Sequence, residues 1–215
     1  MTSVWAPLGD AAVADTWSSA WRSLGRAVPL RLRLDLQAAW TERHRHYHDG
    51  RHLRECLALW SLWGPQCEHP AEVGLALWFH DAVYAPSFQD NELQSASWGA
   101  RALARAGVSS EICQRVFDLI MATCHDALPE RFDAQLLVDI DLAILGSPPA
   151  RFDAYDRDIR LEYEAVPEGR YRAGRRKVLE RFLARPAIYH TTVARDRLEA
   201  QARINLHRAI ERLSQ

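Results

Sequence analysis

Apolar side chains recur at helical spacing along most of this chain, and no segment shows convincing strand alternation. Between residues 53 and 63 the apolar positions are three and four residues apart, and Gly64-Pro65 then ends the pattern. Positions at that spacing share one face of an α-helix, which can be buried while the other faces meet water. The chain is therefore predicted to be all-α, a bundle of helices around a common core. Further helices are predicted over 73–82, 91–106, 110–123, 136–145, 150–165, 170–184 and 193–213.

Length and composition favour one compact domain. The 215 residues are 48% hydrophobic and carry a formal net charge of −1, which suits a single core. Residues 1–30 are predicted to form an N-terminal helix and loop extension, and residues 31–215 a single helical domain. Because the charges nearly balance, there is no electrostatic reason to expect nucleic acid or a membrane as a partner.

The cysteines and the apolar runs indicate the cellular compartment in which the protein is expected. The chain has no Cys-x-x-Cys pair, so reduced and partly buried thiols are expected, as in a reducing cytoplasm. No run of about 18 apolar residues indicates a membrane span, and the first residues do not resemble a signal peptide. A cytoplasmic protein is therefore expected. The cysteines are Cys56, Cys67, Cys113 and Cys124.

One ionisable pair, His80-Asp81, directly follows the apolar run from Val73 to Phe79. Burying such groups costs free energy unless they are paired, and a divalent cation is one effective partner. The pair is therefore a candidate for metal ligation. The alternative is a helix end where both side chains bond only to nearby backbone groups.

Two other segments contain further candidate ligands for the same metal ion. His48 and His52 lie four residues apart at the start of a predicted helix, and His52 precedes Cys56 on its buried face. His52 is the stronger ligand candidate, while His48 is expected either to support a ligand or to lie at the surface. Further on, Asp141 shares a helical face with core residues and Asp139 does not, so Asp141 is favoured as the inner carboxylate, with the choice between them left open.

The ordered set His52, His80-Asp81 and Asp141 resembles the H…HD…D signature of the HD superfamily of metal-dependent phosphohydrolases. The resemblance covers roughly residues 40–210 and is closest to a bacterial subgroup of predicted HD phosphohydrolases. It implies an HD-domain-like helical bundle in which those four residues bind one divalent ion. The phrases that carry it are Tyr47-His48-x-x-x-His52, Phe79-His80-Asp81-Ala82-Val83-Tyr84, Asn91-Glu92-x-x-Ser95-Ala96, Asp139-x-Asp141-Leu142-x-x-Leu145-Gly146 and Ile159-Arg160-x-Glu162-Tyr163.

Two imidazoles and two carboxylates suit Mn²⁺, Co²⁺, Fe²⁺ or Zn²⁺ better than Mg²⁺, and leave positions for water and a phosphate oxygen. By resemblance, Glu92 is the candidate for orienting the water, and His125 is expected to face the metal or the phosphate. Asp81 is counted as both a ligand and a catalytic residue. His48 and Asp139 are expected to support the ligands, and Arg51, Arg160 and Arg175 are the candidates for phosphate contacts.

The predicted function is hydrolysis of a small phosphorylated metabolite or nucleotide by a metal-activated water. One alternative is a regulatory protein that binds metal or nucleotide without catalysis. Another is an oxygenase with two irons, which needs more histidines between the pair and the last aspartate, where His125 stands alone. The segment 199–206 is expected to pack on the bundle or to form a homodimer contact.

Overall fold

The computed structural model describes residues 5–87, 89–125 and 127–214, and these residues form ten α-helices, three short 3-10 helices and no strand. The prediction of an all-α protein is confirmed. The α-helices are α1 (Asp10–Ser23), α2 (Leu30–Ala39), α3 (Gly50–Trp63), α4 (Pro70–Phe79), α5 (Asn91–Arg105), α6 (Ser110–Met121), α7 (Phe132–Asp141), α8 (Pro149–Glu162), α9 (Glu168–Leu183) and α10 (Thr192–Leu213). The 3-10 helices are Gly64–Gln66, Ala122–Cys124 and Leu142–Gly146.

Helix α4 is the centre of the bundle. Every residue from Glu72 to Phe79 is buried, and the helix packs against α1, α3, α5, α6 and α7. A helix that is apolar on all sides is stable only when other elements enclose it. The helix ends at Phe79 and not at 82 as predicted, so His80 is its C-terminal cap and Asp81 follows outside it. The enclosed helix thus delivers the pair to the interior.

Helix α1 belongs to the same core. Trp17 and Trp21 are fully buried, and the Trp17 ring packs edge-on against Trp78 of α4 with ring centroids 5.1 Å apart. Large aromatic rings contribute much of the apolar area that a small core buries. Residues 10–23 therefore pack as part of the bundle, while the domain boundary at residue 30 remains a prediction.

Helix α10 closes the bundle over the segment that follows α7. A Cβ atom on Gly146 would lie 2.6 Å from Cβ and 2.8 Å from the carbonyl oxygen of Leu198, so only glycine permits this close approach. The Asn205 side chain donates to the carbonyl oxygens of Leu145 and Ser147, both at 2.8 Å. These contacts fix the end of α7, where Asp141 lies, against the last helix.

None of the helices in the described part of the chain combines the length and apolarity needed to cross a bilayer. All four cysteines are free thiols.

Candidate metal centre

His52 is placed by the start of α3. The Asp49 carboxylate caps this helix by accepting from the backbone N–H groups of Arg51 and His52 at 2.8 and 3.3 Å. The His52 ring is buried, and its Nδ1 lies 3.1 Å from the Tyr47 hydroxyl. Because Nδ1 has this partner, Nε2 is the nitrogen that faces the interior.

The His80 ring is likewise oriented by a hydrogen bond at its Nδ1 atom. Its Nδ1 donates to the carbonyl oxygen of Leu77 at 2.8 Å, which leaves a lone pair on Nε2 of the neutral ring. The Trp40 ring packs beside it with centroids 5.3 Å apart. Metal-ligating histidines commonly use the second ring nitrogen in this manner, which fixes the direction of the first.

The two imidazoles meet nitrogen to nitrogen, with Nε2 of His52 and Nε2 of His80 separated by 3.1 Å. Oδ1 of Asp141 lies 3.2 and 3.5 Å from these atoms, and Oδ2 of Asp81 lies 3.8 and 3.2 Å from them. Two nitrogens that bind one ion at about 2.1 Å are about 3.0 Å apart at a right angle and about 3.4 Å apart at the tetrahedral angle. These separations match donors to a single divalent cation, and the two histidines and Asp141 belong to a buried group that could hold a metal ion.

Electrostatics hold the two carboxylates in their charged form. Although burial opposes ionisation, the neighbouring His80 keeps the pKa of Asp81 below its usual range, and contacts with His125, His52 and His80 keep the pKa of Asp141 well below it. Burial alone would lower the pKa of His80, but the two carboxylates raise it above the ordinary value. The two charged carboxylates thus favour a positive charge beside them, either a proton on His80 or a cation bound in its place.

The Cys56 thiol is also within this cluster, which sequence reasoning did not anticipate. Potential ligand atoms of His52, Cys56, His80 and Asp141 all lie within 4.8 Å of one another. However, Sγ lies 3.6 Å from Nδ1 and 3.8 Å from Nε2 of His52, beside the ring and not in line with its lone pair. Burial, followed by the nearby carboxylates, raises the thiol pKa well above its usual value. Both Cys56 and Asp81 thus lie beside the two imidazoles, and Asp81 as a ligand stays a prediction.

His125 approaches the cluster from the segment after α6. Its Nε2 lies 3.2 Å from Oδ2 of Asp141, on the oxygen that the other two histidines leave free. Its backbone has φ of +56°, and among the described residues it is the only non-glycine residue with positive φ. Residues other than glycine adopt this left-handed conformation uncommonly, although histidine does so more often than most. His125 therefore lies against Asp141, while its expected role toward a metal or a phosphate stays a prediction.

His48 lies next to the cluster and is held by Glu162, a residue that was quoted in a motif but given no role. His48 Nδ1 lies 2.7 Å from Oε2 of Glu162, and the Tyr84 hydroxyl donates to the same oxygen at 2.8 Å. The other oxygen of Glu162 accepts the backbone N–H groups of residues 46, 47 and 48 at 2.8–2.9 Å. Burial alone would raise the pKa of Glu162, but the hydrogen bond and charge of His48, together with the backbone N–H groups, lower it to about 2. His48 therefore lies beside the ligands and not among them, with its ring fixed by a buried carboxylate.

Arg45 holds the backbone next to the cluster through carbonyl groups. Its guanidinium donates to the carbonyl oxygens of His48, Asp81 and Ala82 at 2.9, 2.7 and 3.2 Å. The side chain is fully buried and lies over the Trp40 ring. Arg45 thus holds the backbone at His48, Asp81 and Ala82 through carbonyl groups. Glu162 holds the backbone of residues 46–48 through N–H groups. Neither role could be read from local periodicity.

Asp139 is separate from the cluster. Its carboxylate accepts the backbone N–H groups of His190 and Thr191 and the Thr191 hydroxyl, at 2.7–2.8 Å. It therefore anchors the start of α10 instead of supporting a ligand. Of the two aspartates, only Asp141 faces His52 and His80.

The cluster opens into a cavity of about 680 Å³, lined by His48, Glu92, His125, Asp141 and Arg175 among others. An adjoining compartment of about 410 Å³ shares four of these residues and adds Asp81. Half-burial, with the charges of nearby carboxylates, raises the pKa of Glu92 above its usual value. A large cavity with convergent polar groups at one end is the usual form of a small-molecule site.

The three arginines predicted to contact phosphate lie in different surroundings. Arg175 lines the cavity. Arg51 pairs with Glu55 at 3.0 Å, and Arg160 pairs with Glu168 at 3.0 Å; neither lines the cavity.

Compared with protein-family models, curated proteins and solved structures, the chain gives no match.

Proposed function

We propose that this chain is a metal-dependent phosphohydrolase of the HD type, acting on a small phosphorylated metabolite or nucleotide. The observation that carries the proposal is the convergence of two histidine Nε2 atoms and two carboxylates at one end of a cavity of about 680 Å³. The order of these residues, His52, His80-Asp81 and Asp141, is the one that resembles the HD signature. Burying such charges costs free energy unless they are paired, and a cation is one effective partner.

The four side chains would hold one divalent cation, with Mn²⁺, Co²⁺, Fe²⁺ or Zn²⁺ favoured by the mixed nitrogen and oxygen donors. Such a cation supplies Lewis-acid activation of a water molecule and of the phosphoryl group. The ring nitrogens are aimed by the Leu77 carbonyl and the Tyr47 hydroxyl, so little reorganisation is required on binding.

Other residues of the cavity have roles that follow from their positions. Glu92 and His125 line both compartments, and we assign them to orienting the attacking water and exchanging its proton. His48, fixed by Glu162, faces the same space and can contact a phosphate oxygen. Arg175 on the opposite wall adds positive charge, although its own ion pair with Asp156 limits its reach.

Metal analysis of two neighbouring aspartate variants provides the sharpest test. Asp141→Asn removes a ligand, whereas Asp139→Asn alters a buried carboxylate two residues away on the same helix that contacts only the start of α10. We expect metal affinity to fall by more than about tenfold in Asp141→Asn and to be retained in Asp139→Asn. Metal content after loading with Mn²⁺, Co²⁺ or Zn²⁺ is read by mass spectrometry.

Activity is tested with a panel of phosphomonoesters, nucleotides and pyrophosphates in the presence of each metal. We expect hydrolysis that disappears in His80→Ala and in Asp81→Ala while the circular dichroism spectrum is unchanged. Hydrolysis that is indifferent to both substitutions, or a purified protein that binds no metal at near-equal stoichiometry, contradicts the proposal.

A further inference from the structure

The cavity extends well beyond the cluster, into a groove between α8 and α9. We call this the α8–α9 groove and define it by Tyr155, Ile159 and Tyr163 on one side and Tyr171, Val178 and Phe182 on the other. The first three are four residues apart along α8 and its C-terminal cap, and the others recur at helical spacing on α9. Each helix thus turns one face toward the groove.

The groove is large compared with what the cluster itself requires. The whole cavity of about 680 Å³ lies within the range of volumes found for small-molecule sites. One ion and one phosphate group occupy a small part of that space. The remainder is continuous with the cluster through Asp141 and His125, so a molecule bound by its phosphate extends into the groove.

The arginines beside the groove are already engaged. Arg175 donates to Asp156 and lies over the Tyr155 ring at 4.9 Å, while Arg160 donates to Glu168 and two carbonyl groups and lies over the Tyr171 ring at 4.6 Å. Each guanidinium therefore supports one face of a tyrosine ring and holds it in place.

Arg170, at the edge of the cavity, is exposed to solvent. The groove therefore presents aromatic and aliphatic surface, together with the tyrosine hydroxyls and the solvent-exposed Arg170. Aromatic rings recognise other aromatic groups by stacked or edge-to-face contact, which adds to the free energy of burying apolar area.

We propose that the α8–α9 groove binds the organic part of the substrate, and that this part is an aromatic group, so the substrate class is a phosphate monoester of a phenol or of an alcohol that carries an aromatic ring. This inference rests on the proposed phosphohydrolase function for the reacting end of the molecule. The groove itself is defined by the side chains of α8 and α9.

Gly174 allows the groove to be filled without touching the cluster. It lies on the wall of the cavity, and a Cβ atom added there meets no atom within 4 Å. Gly174→Trp therefore places a large ring in open space. Gly169→Trp is the matched control, because Gly169 lies on the same helix, also has no atom within 4 Å of an added Cβ, and does not line the cavity.

The kinetic arm compares 2-naphthyl phosphate with glycerol 2-phosphate on the Mn²⁺-loaded protein. For Gly174→Trp we expect kcat/KM to fall by about tenfold or more with the naphthyl ester, mainly through KM, and to change by less than about twofold with the glycerol ester. Gly169→Trp is expected to leave both esters unchanged. Equal effects of Gly174→Trp on the two esters, or none on the naphthyl ester, overturn the inference.

A binding measurement distinguishes failure of this inference from failure of the proposed function. Naphthylmethylphosphonate cannot be hydrolysed, and its affinity is measured by calorimetry with the same variants. If no ester is hydrolysed but Gly174→Trp alone weakens phosphonate binding by about tenfold, the groove is supported and the hydrolase function fails. If esters are hydrolysed but neither arm responds to Gly174→Trp, the hydrolase function stands and the groove is overturned.

Discussion

Glu162 is the residue whose removal gives the most informative stability measurement. Its carboxylate is fully buried and accepts five hydrogen bonds, from three backbone N–H groups, His48 and the Tyr84 hydroxyl. Glu162→Gln preserves the shape and three of the acceptor contacts, but it removes the charge and places an amide donor opposite His48 and Tyr84. The variant therefore isolates what the charged form contributes.

The pKa of Glu162 gives the magnitude. It is lowered from 4.5 to about 2 because the hydrogen bonds and the charge of His48 outweigh the effect of burial. A difference of about 2.5 pKa units at about 1.4 kcal/mol each corresponds to about 3 kcal/mol of folding free energy at pH 7. For a chain of this length, that lowers Tm by about 6–12 °C.

The pH dependence has a defined sign. Because the pKa is lower in the folded state, the ionised form stabilises the fold above pH 4.5, and this stabilisation is lost as the pH falls toward 2. The difference between wild type and Glu162→Gln should therefore be about 3 kcal/mol at pH 7 and about 2 kcal/mol at pH 3.5. Urea unfolding of chelator-treated protein at pH 7, 5 and 3.5 measures it.

The control is Glu164→Gln, two residues further on, where the side chain is exposed and forms no ion pair within the described part of the chain. It should change the unfolding free energy by less than about 0.5 kcal/mol. If Glu162→Gln is no more destabilising than this control, or if its effect is the same at all three pH values, the reasoning about this carboxylate is refuted.

Three further stability predictions use urea unfolding as the measurement. Asp139→Asn should cost about 1–3 kcal/mol, because an amide group faces N–H donors at the start of α10, and a neutral result would contradict this. Gly174→Ala should stabilise the protein by about 0.5–1 kcal/mol, since alanine favours the helix and its Cβ meets open space; a loss of stability would refute it. Gly146→Ala should destabilise it by about 1–3 kcal/mol, because the added Cβ meets the backbone of Leu198, and an unchanged midpoint would show that α10 can shift.

The helical architecture was predictable because it depends on spacing within each segment. Apolar residues three and four apart identified α3, and the run from Val73 to Phe79 identified the enclosed helix α4. Helix α2 was not predicted, because leucines alternate with polar residues between Leu30 and Leu36 and only Leu36 is buried. Its Leu, Arg, Gln and Ala residues favour the helix by intrinsic propensity, which a search for one apolar face does not detect.

The sequence by itself determined that the chain is all-α and which histidines and aspartates are candidates for ligation, because both follow from residue type and order. Tertiary structure alone decided that Asp141 faces the histidines while Asp139 anchors α10, although the two lie on one helix. It also placed Glu162 against His48, 114 positions away. The physical reason is that a carboxylate takes its role from the groups that the fold brings to it, and those groups are distant in the chain.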